Sequence, residues 1–135
     1  MLDKYTAAKK VEPIHIEPTE ETPKISYNSS TGSLEITGES YPEDASETYK
    51  PVFDWIDEVK DQLPSISLGF SLNYLNTGTS KIIIDLIMKL DEMCKEGYQT
   101  KIIWLYCEED EDMMNLGEEY QDLAANMEIK LLKSN

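Results

Sequence analysis

The chain has few of the residues that enzymes most often use for catalysis or metal binding. It contains one histidine, His15, and two cysteines, Cys94 and Cys107, among 135 residues. A catalytic triad or dyad built on His15 would place its base on a mobile amino-terminal segment. The cysteines show no disulfide framework and no close metal-ligand spacing, and no glycine-rich phosphate loop is present. We therefore expect a protein that is not an enzyme and has no cofactor.

Basic residues are also scarce. Lysine and arginine together number 12 against 27 acidic residues, which gives a formal net charge of -15. A nucleic-acid-binding protein needs basic surface to displace counterions, and an anionic membrane would repel this chain. No apolar run is long enough to span a bilayer, and the first ten residues do not resemble a signal peptide. We expect a cytoplasmic protein that binds neither nucleic acid nor membrane, with its two cysteines reduced.

Strand and helix patterns alternate along most of the chain. We expect a mobile lead-in over residues 1–23, in which Ile14–Ile16 is a candidate edge strand, followed by a single domain over residues 24–135. A hairpin around the turn at residues 28–32 opens this domain, and the predicted order is β-β-α-β-α-β-α-β. Such alternation is typical of an α/β fold with a partly parallel sheet and covering helices.

Several details of this pattern can be checked against a structure. Pro51 is best tolerated in a first helical turn, so the first helix is expected to begin near Thr48 rather than near Ser46. Residues 66–74 alternate as a strand that is half buried on one face. Residues 101–107 are almost continuously apolar, which predicts a strand covered on both faces.

The tryptophans and cysteines have mainly structural interpretations. Trp55 and Trp104 are both expected to be core or half-exposed packing residues. Trp55 lies beside the main apolar face of its helix, which leaves a partner contact open. Cys94 and Cys107 lack activating neighbours and are expected to be buried.

The acidic run Glu108–Asp112 lies between a predicted strand and a predicted helix. Five consecutive carboxylates could hold a hard cation, although their spacing does not match an EF-hand loop. Carboxylates in the first turn of a helix also complement its dipole, which is the simpler interpretation. A metal-dependent or catalytic module built on this run is the alternative function.

The segment Ser71–Leu86 carries the strongest functional signal. A strand pattern runs into a small polar turn, which then opens onto an apolar helix. The turn holds three hydroxyls, on Thr77, Thr79 and Ser80. One of them could cap the helix by accepting hydrogen bonds from its first N–H groups. A hydroxyl at this position could also be a phosphorylation switch, because a phosphate would meet the positive end of the helix dipole.

Short motifs across nearly the whole chain, residues 12–132, resemble those of the SiaC family of bacterial regulatory phosphoproteins. Each motif is weak alone, but together and in this order they are specific. They are Ser40–Glu43, Trp55, Tyr74–Thr77 with Lys81, Trp104 and Tyr106, Asp110–Met113, and Gly117–Glu118.

The resemblance implies a STAS-like (SpoIIAA-like) fold and a non-enzymatic switch similar to the anti-sigma-factor antagonists. In such a switch a Ser/Thr kinase phosphorylates a hydroxyl at the strand-to-helix turn, and a PP2C-type phosphatase removes the phosphate. The unphosphorylated form binds an effector, a diguanylate cyclase in the best-understood pathway. The Tyr-Leu-Asn-Thr motif places the phosphoacceptor on Thr77, with Thr79 and Ser80 as rivals. A constitutive scaffold without phosphorylation is a further alternative.

The loops that precede helices gather at one end of a STAS-like sheet. We therefore expect the turn and the loop at residues 41–44 to form one partner-binding patch. Lys81, one turn into the helix, could steady a phosphate or pair with a partner carboxylate. The candidate residues of the patch are Tyr41, Pro42, Glu43, Asn76, Thr77, Gly78 and Lys81.

Overall fold

A computed structural model of the chain describes residues 14–134. These residues form six strands and three helices. The strands are β1 (His15–Ile16), β2 (Lys24–Asn28), β3 (Ser33–Ser40), β4 (Ile66–Leu75), β5 (Thr100–Cys107) and β6 (Glu128–Ser134). The helices are α1 (Ala45–Val59), α2 (Thr77–Lys95) and α3 (Glu111–Leu123). The predicted order of elements is confirmed, with β1 added in front of it.

The strands form one mixed sheet in the order β1-β2-β3-β4-β5-β6. The first three are antiparallel, and β3 to β6 are parallel to one another. The predicted edge pairing is confirmed, because β1 pairs with β2 and the amide of Tyr27 donates to the carbonyl of Ile14. The ordered sheet thus includes part of the predicted lead-in. The rest of that lead-in, residues 1–13, lies outside the described residues.

Three consecutive crossovers join the parallel strands, and the helices pack on a single face of the sheet. That face carries the buried strand residues Leu34, Ile36, Leu68, Phe70, Leu72, Ile102, Trp104 and Ile129. Facing them are the buried helix residues Tyr49, Val52, Ile56, Ile83, Leu86, Ile87, Leu90, Met113 and Tyr120. Within residues 14–134, no helix packs on the opposite face of the sheet.

Both predictions about strand burial need correction, for different reasons. Along β5, buried Ile102 and Trp104 alternate with half-buried Ile103 and Leu105, so this strand is covered on one face and not on two. Strand β4 is buried on both faces over its first half, because Ser67 and Gly69 are buried as well as the apolar residues that alternate with them. A short side chain in a central strand is shielded by the larger side chains on its neighbours, which alternation alone does not reveal.

Helix α1 begins at Ala45, so the predicted start near Thr48 is wrong. Asp44 caps the helix, and its carboxylate accepts from the amide of Glu47 at 3.1 Å and from the hydroxyl of Ser46 at 2.7 Å. Pro51 consequently lies in the second turn, where it removes one backbone hydrogen bond. The cap and the burial of the α1 face outweigh this loss.

The packing role expected of Trp55 is confirmed, while the prediction for the cysteines needs correction. Trp55 is 2% exposed and packs against Tyr27 with a ring-centroid distance of 5.6 Å, so the partner contact that was its alternative role does not apply. Cys107 is exposed and Cys94 half-buried, and both are free thiols. Cys107 is exposed because it ends β5 at the rim of the sheet. Trp104 is buried as predicted, and its indole N–H donates to the carbonyl of Met113 at 2.9 Å.

Helix α3 lies very close to β5. A Cβ atom on Gly117 would come within 2.6 Å of the Trp104 indole and 3.2 Å of Leu131. Only a residue without a side chain allows this approach. It fixes the position of α3, and therefore of its amino-terminal end, relative to the sheet.

Candidate functional site

The amino-terminal ends of all three helices lie at one edge of the sheet, because each helix follows the carboxyl end of a parallel strand. Each is capped in the same way, by a side-chain oxygen that accepts from the amide three residues later. The capping residues are Asp44 for α1, Asn76 for α2 and Asp110 for α3. Parallel strands thereby bring together segments that are far apart in the sequence.

The turn after β4 differs from the expectation that one of its hydroxyls caps the helix. Helix α2 begins at Thr77, and none of the three hydroxyls caps it. The cap is Asn76, whose side-chain oxygen accepts from the amide of Thr79 at 2.9 Å. An amide side chain fills the capping role here, so all three hydroxyls lie within the first turns of α2.

The three hydroxyls have different environments. Thr79 is fully buried and donates to the carbonyl of Ser40 at 3.1 Å. Its oxygen is also 2.8 Å from the hydroxyl of Ser40, which in turn shares a hydrogen bond of 2.9 Å with Tyr49. Burial raises the pKa of Tyr49 to about 12, so this phenol stays protonated within the network. A kinase cannot reach Thr79 in this structure.

Ser80 is half-buried, and its hydroxyl shares a hydrogen bond of 2.8 Å with that of Tyr120. This contact ties the first turn of α2 to α3. Burial also raises the pKa of Tyr120. Thr77 differs from both rivals, since it is exposed and its hydroxyl has no hydrogen-bond partner within residues 14–134.

Hydrogen bonds join the loop after β3 to the turn after β4. The side-chain amide of Asn76 donates to the carbonyl of Pro42 at 3.1 Å, and its backbone amide donates to the carbonyl of Ser40 at 3.0 Å. Asn76 therefore caps α2 and braces the loop at the same time. Gly78 packs against Ala45 at the start of α1, where an added Cβ would make an ordinary contact of 3.7 Å.

The structure brings most of the predicted patch together. Tyr41 is half-buried, Pro42 is buried, and Glu43, Thr77, Gly78 and Lys81 are exposed. Lys81 follows Thr77 by one helical turn, and it does not line the cleft that lies beside Thr77. A partner-binding role for these residues stays a prediction.

Beside Thr77 lies a cleft of about 410 Å³ between the amino-terminal ends of α2 and α3. The end of β4 and the start of α2 form one wall, with Asn73, Tyr74, Thr77 and Ser80. The opposite wall belongs to α3 and contains Asp110, Asp112, Met113 and Leu116. The acidic run and the hydroxyl turn, which the sequence treats as rival sites, therefore face each other across one cleft.

The acidic run does not form a metal-binding cluster. Within residues 14–134 no group of three or more His, Cys, Asp or Glu residues could hold a metal ion. Asp110 is the cap of α3 and accepts from the amide of Met113 at 3.1 Å, while Glu111 and Asp112 occupy the first turn. This arrangement is the one that complements a helix dipole.

Tyr74 is the residue of this edge that sequence analysis missed as a site residue. It is 53% exposed and packs edge-to-face on Tyr41, with ring centroids 5.8 Å apart. The alternation of β4 would place Tyr74 on the covered face, so the period-two pattern concealed it. The register irregularity that changes its direction is visible only in the pairing of β3 with β4.

Comparison with known proteins now adds to this geometry. Residues 16–134 match the family described as SiaC family regulatory phosphoprotein. The chain belongs to the SiaC family. A Pseudomonas aeruginosa (strain UCBPP-PA14) protein described as uncharacterized is 32% identical over 110 residues, which cover 81% of this chain and 87% of the relative.

Two solved structures from Pseudomonas aeruginosa also resemble this chain. The structure of SiaC of Pseudomonas aeruginosa superposes with a TM-score of 0.80 at 27% identity, covering 91% of this chain and 99% of that one. A second match is to the crystal structure of the diguanylate cyclase SiaD in complex with its activator SiaC. That match has a TM-score of 0.76 at 30% identity and covers 88% of this chain and 99% of the matched chain. The chain thus has the fold of this family, and none of the helices in its described part is long and apolar enough to cross a membrane.

Proposed function

We propose that this SiaC-family protein is a non-enzymatic switch whose phosphoacceptor is Thr77. In this proposal the unphosphorylated form binds and activates a diguanylate cyclase, a Ser/Thr kinase adds the phosphate, and a PP2C-type phosphatase removes it. The observation that carries the proposal is the exposure of Thr77 beside two hydroxyls that are already engaged. Membership of a family of regulatory phosphoproteins and the complex of SiaC with SiaD support it.

The first turn of α2 suits a phosphate. It contains no acidic residue, whereas α1 has Glu47 and α3 has Glu111 and Asp112 in their first turns. Within residues 14–134 the amides of Thr77 and Gly78 have no partner, because Asn76 engages only that of Thr79. A phosphate on Thr77 would therefore meet free N–H groups at the positive end of the helix dipole.

The same phosphate would change the surface that a partner meets. It adds roughly -1.5 to -2 charges at neutral pH, and it adds them opposite Asp110 and Asp112 in the cleft. A partner that packs over Thr77 would have to desolvate this charge, and like charges brought together at an interface cost several kcal/mol. Phosphorylation is thus expected to lower the affinity for a partner that covers the cleft.

The first experiment locates the phosphate. The protein is incubated with its cognate kinase and ATP, and the product is analysed by intact mass and peptide mapping. We expect one phosphate, on Thr77, and none in the Thr77→Ala variant. A phosphate that remains in Thr77→Ala and maps to Ser80 or Thr79 would contradict the assignment.

The second experiment measures binding to each diguanylate cyclase of the same organism, with SiaD of Pseudomonas aeruginosa as a reference. Wild type and Thr77→Val should bind alike, and Thr77→Asp should raise the dissociation constant at least about tenfold. Ser29→Asp is the matched control, because it adds the same charge to an exposed residue of the β2–β3 turn, at the opposite edge of the sheet. Equal weakening by both aspartates would indicate a general charge effect and not a switch at Thr77.

A further inference from the structure

A bulge near the carboxyl end of β4 gives Tyr74 its direction. The register of β3 with β4 is regular as far as Gly38 and Leu72, and it then pairs Glu39 with Tyr74 and Ser40 with Leu75. Asn73 is the extra residue, and Gly38 opposite it has a φ of 112°, which favours glycine. Since one extra residue reverses the alternation, Tyr74 lies on the same side of the sheet as Glu39 rather than in the core.

The segment before β2 adds two more carboxylates. The amide of Tyr41 donates to the carbonyl of Glu21 at 2.8 Å. Glu21 belongs to a turn that the hydroxyls of Thr19 and Thr22 stabilise, with 2.7 Å between the two oxygens. Loss of hydration raises the pKa of the Tyr41 hydroxyl, and the nearby carboxylates of Glu20, Glu39 and Glu21 raise it further. We call Tyr41, Tyr74, Glu20, Glu21 and Glu39 the tyrosine–glutamate patch.

The charge of the patch is not neutralised within the described chain. Glu20, Glu21 and Glu39 are all exposed. The ion pairs found in residues 14–134 join His15 to Glu17, Lys50 to Asp54 and Lys89 to Asp57, and none of them involves the patch. The exposed ring of Tyr74, the half-buried ring of Tyr41 and three carboxylates that form no ion pair within residues 14–134 therefore lie at the same end of the sheet as Thr77.

This combination fits one side chain best. The faces of aromatic rings attract cations, and a guanidinium can stack on such a face while its five N–H donors reach carboxylates. A lysine ammonium lacks the planar shape and is more strongly hydrated, so it gains less from the same surface.

We propose that the tyrosine–glutamate patch binds an arginine side chain of the partner protein, with the guanidinium stacked on Tyr74 and paired with Glu39 and Glu21. The proposal rests on the proposed function only for the identity of the partner, since the arginine site belongs to this chain. Because Tyr74 precedes Thr77 by three residues, the arginine and the switch residue fall within one interface.

The first test uses the isolated protein. Amide NMR spectra are recorded during titration with N-acetyl-arginine methylamide and with the corresponding citrulline derivative, which has the same shape without the charge. We expect saturable shifts centred on Tyr41 and Tyr74, with at least about threefold weaker binding of the citrulline derivative. Equal responses to the two compounds, or arginine shifts centred on Asp110 and Asp112, would overturn the proposal.

Variants then assign the contacts. Glu39→Gln and Glu21→Gln should each weaken arginine binding by about two- to fivefold, as expected for exposed ion pairs. Asp112→Asn is the matched control, since it removes an exposed carboxylate from the other side of Tyr74, and it should have no effect. If Asp112→Asn weakens binding and Glu39→Gln does not, the cation site lies in the cleft and the assignment is wrong.

The third measurement separates this inference from the proposed function. Binding of a diguanylate cyclase to wild type but not to Thr77→Asp supports the switch, and its weakening by Glu39→Gln supports the arginine site. If the cyclase binds wild type and Glu39→Gln equally, the partner does not use the patch and this inference fails while the switch stands. If no cyclase binds but the arginine titration succeeds, the proposed function fails and the arginine site stands.

Discussion

The amino-terminal ends of α2 and α3 face each other across one cleft, and they differ in the number of acidic side chains that they carry. Helix α3 is capped by Asp110 and carries Glu111 and Asp112 in its first turn. Helix α2 is capped by the neutral Asn76 and has no acidic residue in its first turn. In a chain with 27 acidic residues, this lack of negative charge is local and specific. In the proposed switch, α2 is therefore the helix on this cleft whose first residue receives the phosphate.

The largest expected effect is on the free energy of unfolding. Helices α2 and α3 each contain one glycine, Gly78 and Gly117, and the two can be compared by the same substitution. Gly117→Ala should destabilise the protein by about 1–3 kcal/mol, because its Cβ would overlap the Trp104 indole and displace α3. Gly78→Ala should be neutral or stabilising by up to about 1 kcal/mol, since its Cβ meets only ordinary contacts and alanine favours a helix. Urea unfolding measures both. Equal effects of the two substitutions would show that α3 is not held by its approach to Trp104.

The second prediction compares the two caps. Asn76→Ala should cost about 1–2 kcal/mol of stability, because α2 loses its cap, and it should also free the loop braced through Pro42. Asp110→Ala should cost about 1 kcal/mol and leave that loop unchanged. Denaturation curves give the stabilities, and hydrogen exchange at the Tyr41 amide reports on the loop. Faster exchange in Asp110→Ala than in Asn76→Ala would contradict the bracing role of Asn76.

Properties of this region that depend on neighbouring residues can be predicted from the sequence. Properties that depend on contacts between distant segments cannot. The order of elements follows from periodicity, and the placing of Thr77 in a turn between a strand and a helix follows from its neighbours. The burial of Thr79 depends on Ser40 and Tyr49, which come from two other elements. The direction of Tyr74 depends on how β4 pairs with β3. Such properties arise from the pairing of distant segments, and no pattern within one segment reveals them.

The start of α1 shows a different kind of error. The rule that places proline in a first turn is local, and Asp44 offers a competing local signal four residues before the predicted start. The structure follows the cap, and the helix accepts Pro51 in its second turn. The position of a helix end thus depended on the relative strength of two signals that were both visible in the sequence.

The smallest expected effect is an electrostatic coupling across the cleft. Asp112→Asn should destabilise the wild-type protein by about 0.3–1 kcal/mol, since α3 loses a charge that complements its dipole. In a Thr77→Asp background the same substitution should cost about 0.5 kcal/mol less, because it also removes a repulsion between like charges. A double-mutant cycle in low and high salt measures this coupling, which should shrink as salt increases. A coupling of zero at low salt would mean that the two helix ends do not sense each other.

The hydrogen bonds of Asn76 and Thr79, on either side of Thr77, have a consequence for the speed of the proposed switch. Thr79, two residues away, is fastened to β3 and α1 through Ser40 and Tyr49, and Asn76 joins the turn to the loop at Pro42. In the proposed switch we therefore expect a phosphate on Thr77 to act directly on the partner that covers it, without a rearrangement of the turn. We expect the kinase and the phosphatase, rather than a conformational change, to set the response time.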